Sequence, residues 1–218
     1  PGSGYLACGD VDTGRMSEPE DIVEAVCEVL NPVQQDLAGK RIVITAGPTH
    51  EPIDPVRFIG NRSSGKMGIA LAGEAARRGA AVTLVLGPTS LDVPHGVECV
   101  RVQTAAEMLK AALSAFQTAD VAICAAAVAD YTPVSPADHK LKKSNERLDR
   151  IELVETVDIL AELSRQKGER CVIGFAAETD NVLEYAQRKL DRKGCDAIIA
   201  NDVSRADSGF GTDTNKAW

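Results

Sequence analysis

The stretch RIVITAGP, residues 41–48, and its echo AVTLVLGP, residues 81–88, decide how this chain folds. Each is an aliphatic, β-branched run closed by Gly-Pro, the pattern of a buried strand that ends in a tight turn. Between them Ala70 to Arg78 is Ala-rich and reads as a helix. Working outward, Val97 to Val102 predicts a short strand, and Ala105 to Phe116 a helix with Met108, Leu109, Ala112 and Leu113 on one face. VAICAAAV, residues 121–128, is apolar at every position, which suits a strand covered on both sides. A polar stretch from Asp130 to Arg150 breaks the rhythm. A helix at Val157 to Arg165, a strand at Cys171 to Ala176, a helix at Val182 to Lys193 and a strand at Asp196 to Ala200 then restore it. The alternation calls for an α/β, Rossmann-like three-layer fold: a mainly parallel sheet, right-handed crossovers, helices on both faces.

Composition agrees with one such domain plus an appendage. Of 218 residues, 44% are hydrophobic and 26% charged, and aromatics are only 4%, so the core must be built from Val, Ile, Leu and Ala. The net charge of −8 speaks against a broad nucleic-acid surface, so an anionic ligand has to be met by a local basic cluster. No run of about 18 apolar residues occurs, and no secretory leader lies within these residues, so neither a membrane span nor export is expected. Cys8, Cys27, Cys99, Cys124, Cys171 and Cys195 are scattered, without a CxxC pair or a zinc-type His spacing. They read as reduced thiols of a cytoplasmic protein.

Residues 1–38 stand apart. Gly2, Gly4, Gly9 and Gly14 punctuate a polar segment, Ser17 and Pro19 open a short helix, and Asn31 to Gly39 reads as a linker. The expectation is the tail of an upstream domain, followed by a second domain over 39–218. No helix or strand closes the chain after Ser204 to Thr214, so a final strand or hairpin of the sheet is expected beyond Trp218.

In an open parallel sheet, ligands bind beyond the carboxyl ends of the strands. The richest segment there is GPTHEPIDPVRFIGNRSSGKMG, residues 47–68. It has no GxGxxG turn, so it gives no support to a nicotinamide or flavin oxidoreductase. Gly60, Gly65 and Lys66 match GxxxxGK, but Met67 replaces the Ser or Thr that would hold magnesium, and the motif starts well past its strand. Ser63, Ser64, Gly65, Lys66 and Gly68 open a helix, where backbone N–H groups favour phosphate or carboxylate. The plainer alternative is that Ser63 or Ser64 caps that helix while Arg57, Arg62 and Lys66 are solvated charges. Asp130 ends the apolar run, placed for a ribose hydroxyl or for a structural cap. HKLKK, residues 139–143, is a lysine-rich loop that either closes over a polyphosphate or is a solvated face. After GFAAETDN, residues 174–181, with Thr179, Asp180 or Asn181 as cap, one helical face carries Tyr185, Lys189 and Lys193. No Ser-His-Asp set or close carboxylate pair is visible, which weighs against a hydrolase.

Taken together, TAGPTHEPIDPVRFIGNRSSGKMG (45–68), AAVADY (126–131), KLKK (140–143), GFAAET (174–179) and ANDVS (200–204) resemble the phosphopantothenoylcysteine synthetase family, the ligase domain of the bacterial bifunctional coenzyme A biosynthesis flavoprotein. LACGDVDTGRM (6–16) resembles the substrate clamp that ends the decarboxylase domain of that flavoprotein, with Cys8 at the position of the clamp cysteine. The resemblance implies a CTP-dependent ligase that joins 4'-phosphopantothenate to cysteine through an acyl-cytidylate, releasing pyrophosphate and CMP. Asn61 and Lys140 are the implied catalytic residues, and Arg57, Asn61 and Ala127 the implied contacts of the pantothenoyl portion. Cys124, Ala125, Ala126, Asp130, Lys140, Thr156, Val157, Asp158, Ile159, Phe175, Lys189 and Lys193 are implied for the nucleotide. Mg²⁺ is implied with that nucleotide, FMN only for the upstream decarboxylase domain, and a homodimer for the ligase, with a higher homo-oligomer at full length. Gly47-Pro48-Thr49 stands where the family pattern has Gly-Gly-Thr, and Thr156-Val157-Asp158 where it has Asn-Pro-Asp. Because no base-reading side chain is evident, ATP stays open beside CTP. A noncatalytic interaction domain, the other rival, would have no use for Asn61 and Lys140 at one crevice.

Overall fold

The structure, a computed structural model, describes residues 2–5, 10–19, 22–23, 26, 30, 33–142, 149–202, 204, 214 and 216–218. The chain divides into two compact units, Pro1–Asp36 and Leu37–Trp218. In the first, β1 (Gly2–Tyr5) and β2 (Val11–Arg15) form an antiparallel hairpin where a polar, glycine-punctuated segment was expected. Cys8 and Cys27 lie outside the described residues.

The second unit runs β3 (Arg41–Ala46), β4 (His50–Pro52), β5 (Phe58–Gly60), α1 (Lys66–Arg77), β6 (Ala81–Leu86), β7 (Glu98–Arg101), α2 (Ala105–Phe116), β8 (Val121–Cys124), β9 (Tyr131–Pro133), β10 (Leu153–Glu155), α3 (Ile159–Arg165), β11 (Cys171–Glu178), α4 (Val182–Lys193) and β12 (Ala197–Asp202). Six of these strands make one parallel sheet in the order β12-β11-β8-β3-β6-β7. Counted along the sheet, that is the doubly wound order in which the chain starts at the centre, works to one edge, returns and works to the other. The reversal falls between β3 and β8.

Alternation along the central strands sorts the core into two layers. Ile42, Ile44 and Ala46 of β3 join Val82, Leu84 and Leu86 of β6 against Ala72 and Ala75 of α1. On the opposite face Val43, Val85, Ala122 and Val172 meet Met108, Ala112 and Phe116 of α2 and Leu160 and Leu163 of α3. A smaller cluster of Ala176, Ala186 and Ala200 seats α4. The helices therefore lie on both faces, one against three. Each fully buried Leu, Phe or Val contributes about 1.5–3 kcal/mol. The start of α2 is fixed by a capping box between Thr104 and Glu107, and the buried carboxylate of Glu51 accepts the Ala105 N–H at 2.8 Å.

Several boundaries differ from the sequence-based expectation for physical reasons. The apolar run 121–128 is strand only to Cys124. Beyond it the chain still follows the extension of β3, through Ala125 N–H to Thr45 O at 3.1 Å, Ala127 N–H to Gly47 O at 2.9 Å and Thr49 N–H to Ala127 O at 3.3 Å, but only as an isolated bridge between Ala127 and Pro48, because β3 itself ends at Ala46 before Gly47-Pro48. Helix α1 starts at Lys66 rather than Ala70, because Gly65 supplies a left-handed N-cap at φ 81°. The polar segments hide two small antiparallel hairpins, β4–β5 and β9–β10. On the side of β12 away from β11, Ala200 and Trp218 exchange backbone hydrogen bonds, each 2.9 Å. Among the described residues no helix is long and apolar enough to cross a membrane.

Candidate active site

The reversal between β3 and β8 opens a cleft of about 1800 Å³ beyond the carboxyl ends of β3, β8 and β11. Close backbone packing builds its floor. A Cβ on Gly68 would sit 2.4 Å from the Ala46 Cβ, so only glycine lets the first turn of α1 settle on the end of β3. Next to it, one on Gly87 would sit 1.8 Å from Pro48 O, so only glycine lets the chain leaving β6 pass the turn after β3. Ser63 and Ser64 line the cleft, yet their hydroxyls accept the N–H groups of Gly65 and Lys66 at 3.3 and 3.4 Å. The serines thus shape the turn before the helix, while Gly65 takes the N-cap with no side-chain cap.

Opposite, the chain leaving β8 is held by threonine hydroxyls. Thr45 Oγ1 accepts Ala126 N–H at 3.4 Å and Thr49 Oγ1 accepts Ala129 N–H at 3.0 Å. Thr156 Oγ1 donates to Ala129 O at 2.6 Å, and Thr156 N–H to Asp130 O at 2.9 Å, which joins the turn before α3 to the β8 exit. Asn61 leaves β5 and donates its amide to Val128 O at 2.9 Å, bringing it to the same wall.

The far wall is α4. Tyr185, Arg188, Lys189, Arg192 and Lys193 line the cleft at the i, i+3, i+4, i+7, i+8 spacing of one helical face. Arg188 and Arg192 were not singled out from sequence, although stepping by helical periodicity from Tyr185 reaches both. Lys189 Nζ donates to Phe175 O at 2.7 Å, and Lys193 donates to Asp158, which also caps α3 through Ala161 N–H at 2.9 Å. Burial raises the Asp158 carboxyl, but the hydrogen bonds from Lys193 and Ala161 and the charges of Lys193 and Lys189 outweigh it and hold the group below its usual value. Burial, with the neighbouring Lys193 charge, lowers Lys189. Cys124 faces the cleft with a thiol pushed up to about 12, chiefly by burial, and so is no nucleophile at neutral pH. Asn181, the cap of α4, stands at φ 44° and makes no side-chain cap bond.

The cleft gathers Asn61, Cys124, Ala125, Ala126, Ala127, Asp130, Thr156, Val157, Asp158, Ile159, Phe175, Lys189 and Lys193. Arg57 and Lys140 are not among its lining residues. Arg57 turns instead to Asp54 and donates to Leu141 O at 2.9 Å, and Lys140 is exposed immediately before that leucine. Lys143 lies outside the described residues.

Residues 37–218 match the family described as the DNA/pantothenate metabolism flavoprotein C-terminal domain. The chain is 51% identical over 217 residues to the coenzyme A biosynthesis bifunctional protein CoaBC of Bacillus subtilis, covering 99% of this chain and 53% of that protein. It thus spans about half the length of the curated relatives it matches. A crystal structure of the C-terminal domain of a coenzyme A biosynthesis bifunctional protein CoaBC superposes with a TM-score of 0.68 at 52% identity, covering 76% of this chain and 79% of that one. A Cab2 H337A variant, solved in complex with phosphopantothenate-cysteine, shares the fold at 18% identity with a TM-score of 0.63, covering 85% of this chain and 80% of that one. The family match over 37–218, the 51% identity and the superposition agree, and this chain belongs to the DNA/pantothenate metabolism flavoprotein C-terminal domain family.

Proposed function

We propose that this chain carries the phosphopantothenate–cysteine ligase step of coenzyme A biosynthesis. The observation that carries the reading is the gathering of Asn61, the 124–127 backbone and the Lys189–Lys193 stripe around one cleft at the strand reversal. Relatives from Bacillus subtilis and Escherichia coli are named for coenzyme A biosynthesis, and a protein of the same fold was solved with phosphopantothenate-cysteine.

A carboxylate resists attack by an amine until its oxygen becomes part of a good leaving group. In the proposed sequence a carboxylate oxygen of 4'-phosphopantothenate attacks the α-phosphorus of CTP and pyrophosphate departs. The cysteine amine then adds to the acyl carbon, CMP leaves with that oxygen, and the amine proton passes to solvent or phosphate. Catalysis of this kind rests on alignment and on neutralising phosphate charge. Asn61, at the wall formed by Val128, orients the acyl group with Ala127 beside it, and Lys189, Lys193, Asp130, Phe175 and the 124–126 and 156–159 turns hold the nucleotide. Lys140 acts on the triphosphate from the adjoining loop, and Arg57 serves the pantothenoyl portion from the same side. Among the described residues no three His, Cys, Asp or Glu cluster as a cage for a metal. Mg²⁺ would arrive on the nucleotide phosphates and neutralise their charge, with Asp130 kept as a nucleotide contact. ATP in place of CTP is the alternative nucleotide. The first unit is assigned to the end of a decarboxylase domain whose FMN belongs upstream, and a cytoplasmic homodimer, of higher order at full length, is carried by the resemblance alone.

The test is pyrophosphate release by the purified chain with Mg²⁺, 4'-phosphopantothenate and CTP or ATP, with cysteine withheld and then added. Release that needs the acid, followed by amide formation on adding cysteine, supports the reading. No release with either nucleotide from the folded protein refutes it.

A further inference from the structure

We infer that Asp54 is a positioning residue of the proposed ligase site, fixing the base of the lysine loop to the hairpin that delivers Asn61. The inference rests on the ligase reading but on a different set of contacts. Asp54 lies in the turn between β4 and β5 and is only 2% exposed, an unusual place for a carboxylate without strong partners. Its Oδ1 accepts the N–H groups of Val56 and Arg57, both at 2.9 Å. Those two bonds alone would close the turn. Its Oδ2 does something else: it accepts Arg57 Nε at 2.9 Å, is bridged by Arg57 Nη2, and accepts the N–H of Leu141 at 3.2 Å, from a segment remote in sequence.

Arg57 completes the clamp by donating Nη2 to Leu141 O at 2.9 Å, so both backbone groups of Leu141 are held by one ion pair. Four residues earlier in that loop the same turn makes a second attachment, Ala137 N–H to Ile53 O at 2.9 Å from the neighbouring hairpin residue. Residues 138–140 are therefore strung between two anchors on a single turn, and Lys140 stands directly beside the second. The other end of that hairpin leads from Gly60 into Asn61, whose amide bonds Val128 at the cleft wall. A Cβ on Gly60 would approach Thr49 O, just before β4, to 2.8 Å, so the two strands of the hairpin pack too closely to shift easily against each other. One stiff element thus sets where Asn61 enters the cleft and from where Lys140 addresses it. Sequence alone assigns Asp54 nothing, and Arg57 is explained here by its partners before any ligand is considered.

The experiment uses the whole chain and compares wild type, Asp54→Asn, Lys140→Gln and the double variant. Asp54→Asn keeps the shape but removes the charge that holds Arg57 and Leu141. Expected are amide exchange at Leu141 faster by about tenfold, unchanged exchange in β3 and β8, and pyrophosphate release slower by about tenfold. Because both changes act on one lysine, the double variant should be no slower than Lys140→Gln alone, whereas a general loss of stability would multiply with it. Should Asp54→Asn not fold, Leu141→Pro removes the same N–H from the loop side, and the same failure to multiply with Lys140→Gln is expected. Unchanged exchange at Leu141, full activity of Asp54→Asn, or multiplicative losses in either double variant would overturn the inference while a wild-type protein that releases pyrophosphate leaves the ligase reading standing. A wild-type protein that releases none sinks that reading, and the role of Asp54 within it, before any variant is compared.

Discussion

The two rims of the central sheet solve opposite problems. At the amino rim, polar groups are saturated within the protein. Asp120 Oδ2 accepts Arg41 N–H at 2.8 Å, and Asp196 Oδ2 accepts Val172 N–H at 2.8 Å while its other oxygen takes Lys167 Nζ at 2.6 Å. The Arg170 guanidinium donates to the carbonyls of Phe116, Gln166 and Lys167 and lies 3.9 Å over the Phe116 ring. These bonds close the ends of α2 and α3 and tie strand to strand. At the carboxyl rim the chain is brought just as close together, but by glycines, and its cations and amide groups line a cavity. Polar groups at both rims bond within the protein, but at the carboxyl rim Asn61, Lys189 and Lys193 make those bonds on the wall of a cleft, where a ligand can take over their donors.

That contrast predicts separable effects. The largest belongs to the carboxyl rim: Asn61→Asp should cut amide product by ~100-fold with little change in melting temperature, by analogy with removal of a single oriented donor in other acyl-transfer sites. Comparable melting and activity losses would show the rims are not separable. Arg170→Ala should do the reverse. Stripping three carbonyls of their donor costs roughly 2–3 kcal/mol of stability, read from denaturant melts, while KM and kcat of the folded fraction stay put. A milder test uses pH. The Lys167 hydrogen bond and the Val172 N–H keep the Asp196 carboxyl below its usual value, so its clamp contributes stability above the ordinary carboxylate pKa of about 4 and loses it as pH falls through the lower folded value. Asp196→Asn should therefore flatten the acid limb of a stability–pH curve and leave neutral-pH kinetics alone. Smallest is the reaction of Cys124 with iodoacetamide at pH 8, expected to be negligible in the folded chain because burial holds the thiol near 12. Mass spectrometry before and after denaturation checks it.

The legibility of the sequence followed the same divide. Strands β3 and β6 and helices α2 and α4 were bounded from sequence as they occur, because aliphatic runs cut by Gly-Pro and apolar residues at helical spacing are local signals. The strand expected over 121–128 stopped at Cys124 because its length is set by the neighbouring β3, distant in sequence, which ends at Ala46, and α1 began early because a left-handed Gly65 cannot be told from an ordinary one in a string of letters. The lysine pair of α4 was visible, but Arg188 and Arg192 on the same face were overlooked. Asp54 was illegible altogether. Its significance lies in Leu141, and no spacing rule links a carboxylate in one turn to the backbone of a loop so far along the chain.

The most direct test of the central claim follows one atom. Phosphopantothenate labelled with ¹⁸O in its carboxylate is incubated with the chain, Mg²⁺, cysteine and CTP or ATP, and the nucleoside monophosphate is analysed by mass spectrometry. Activation of the acid by attachment to the nucleotide predicts one ¹⁸O in the monophosphate, left there when the amine displaces it. Amide formed with unlabelled monophosphate, or with nucleoside diphosphate and orthophosphate as products, would contradict the account.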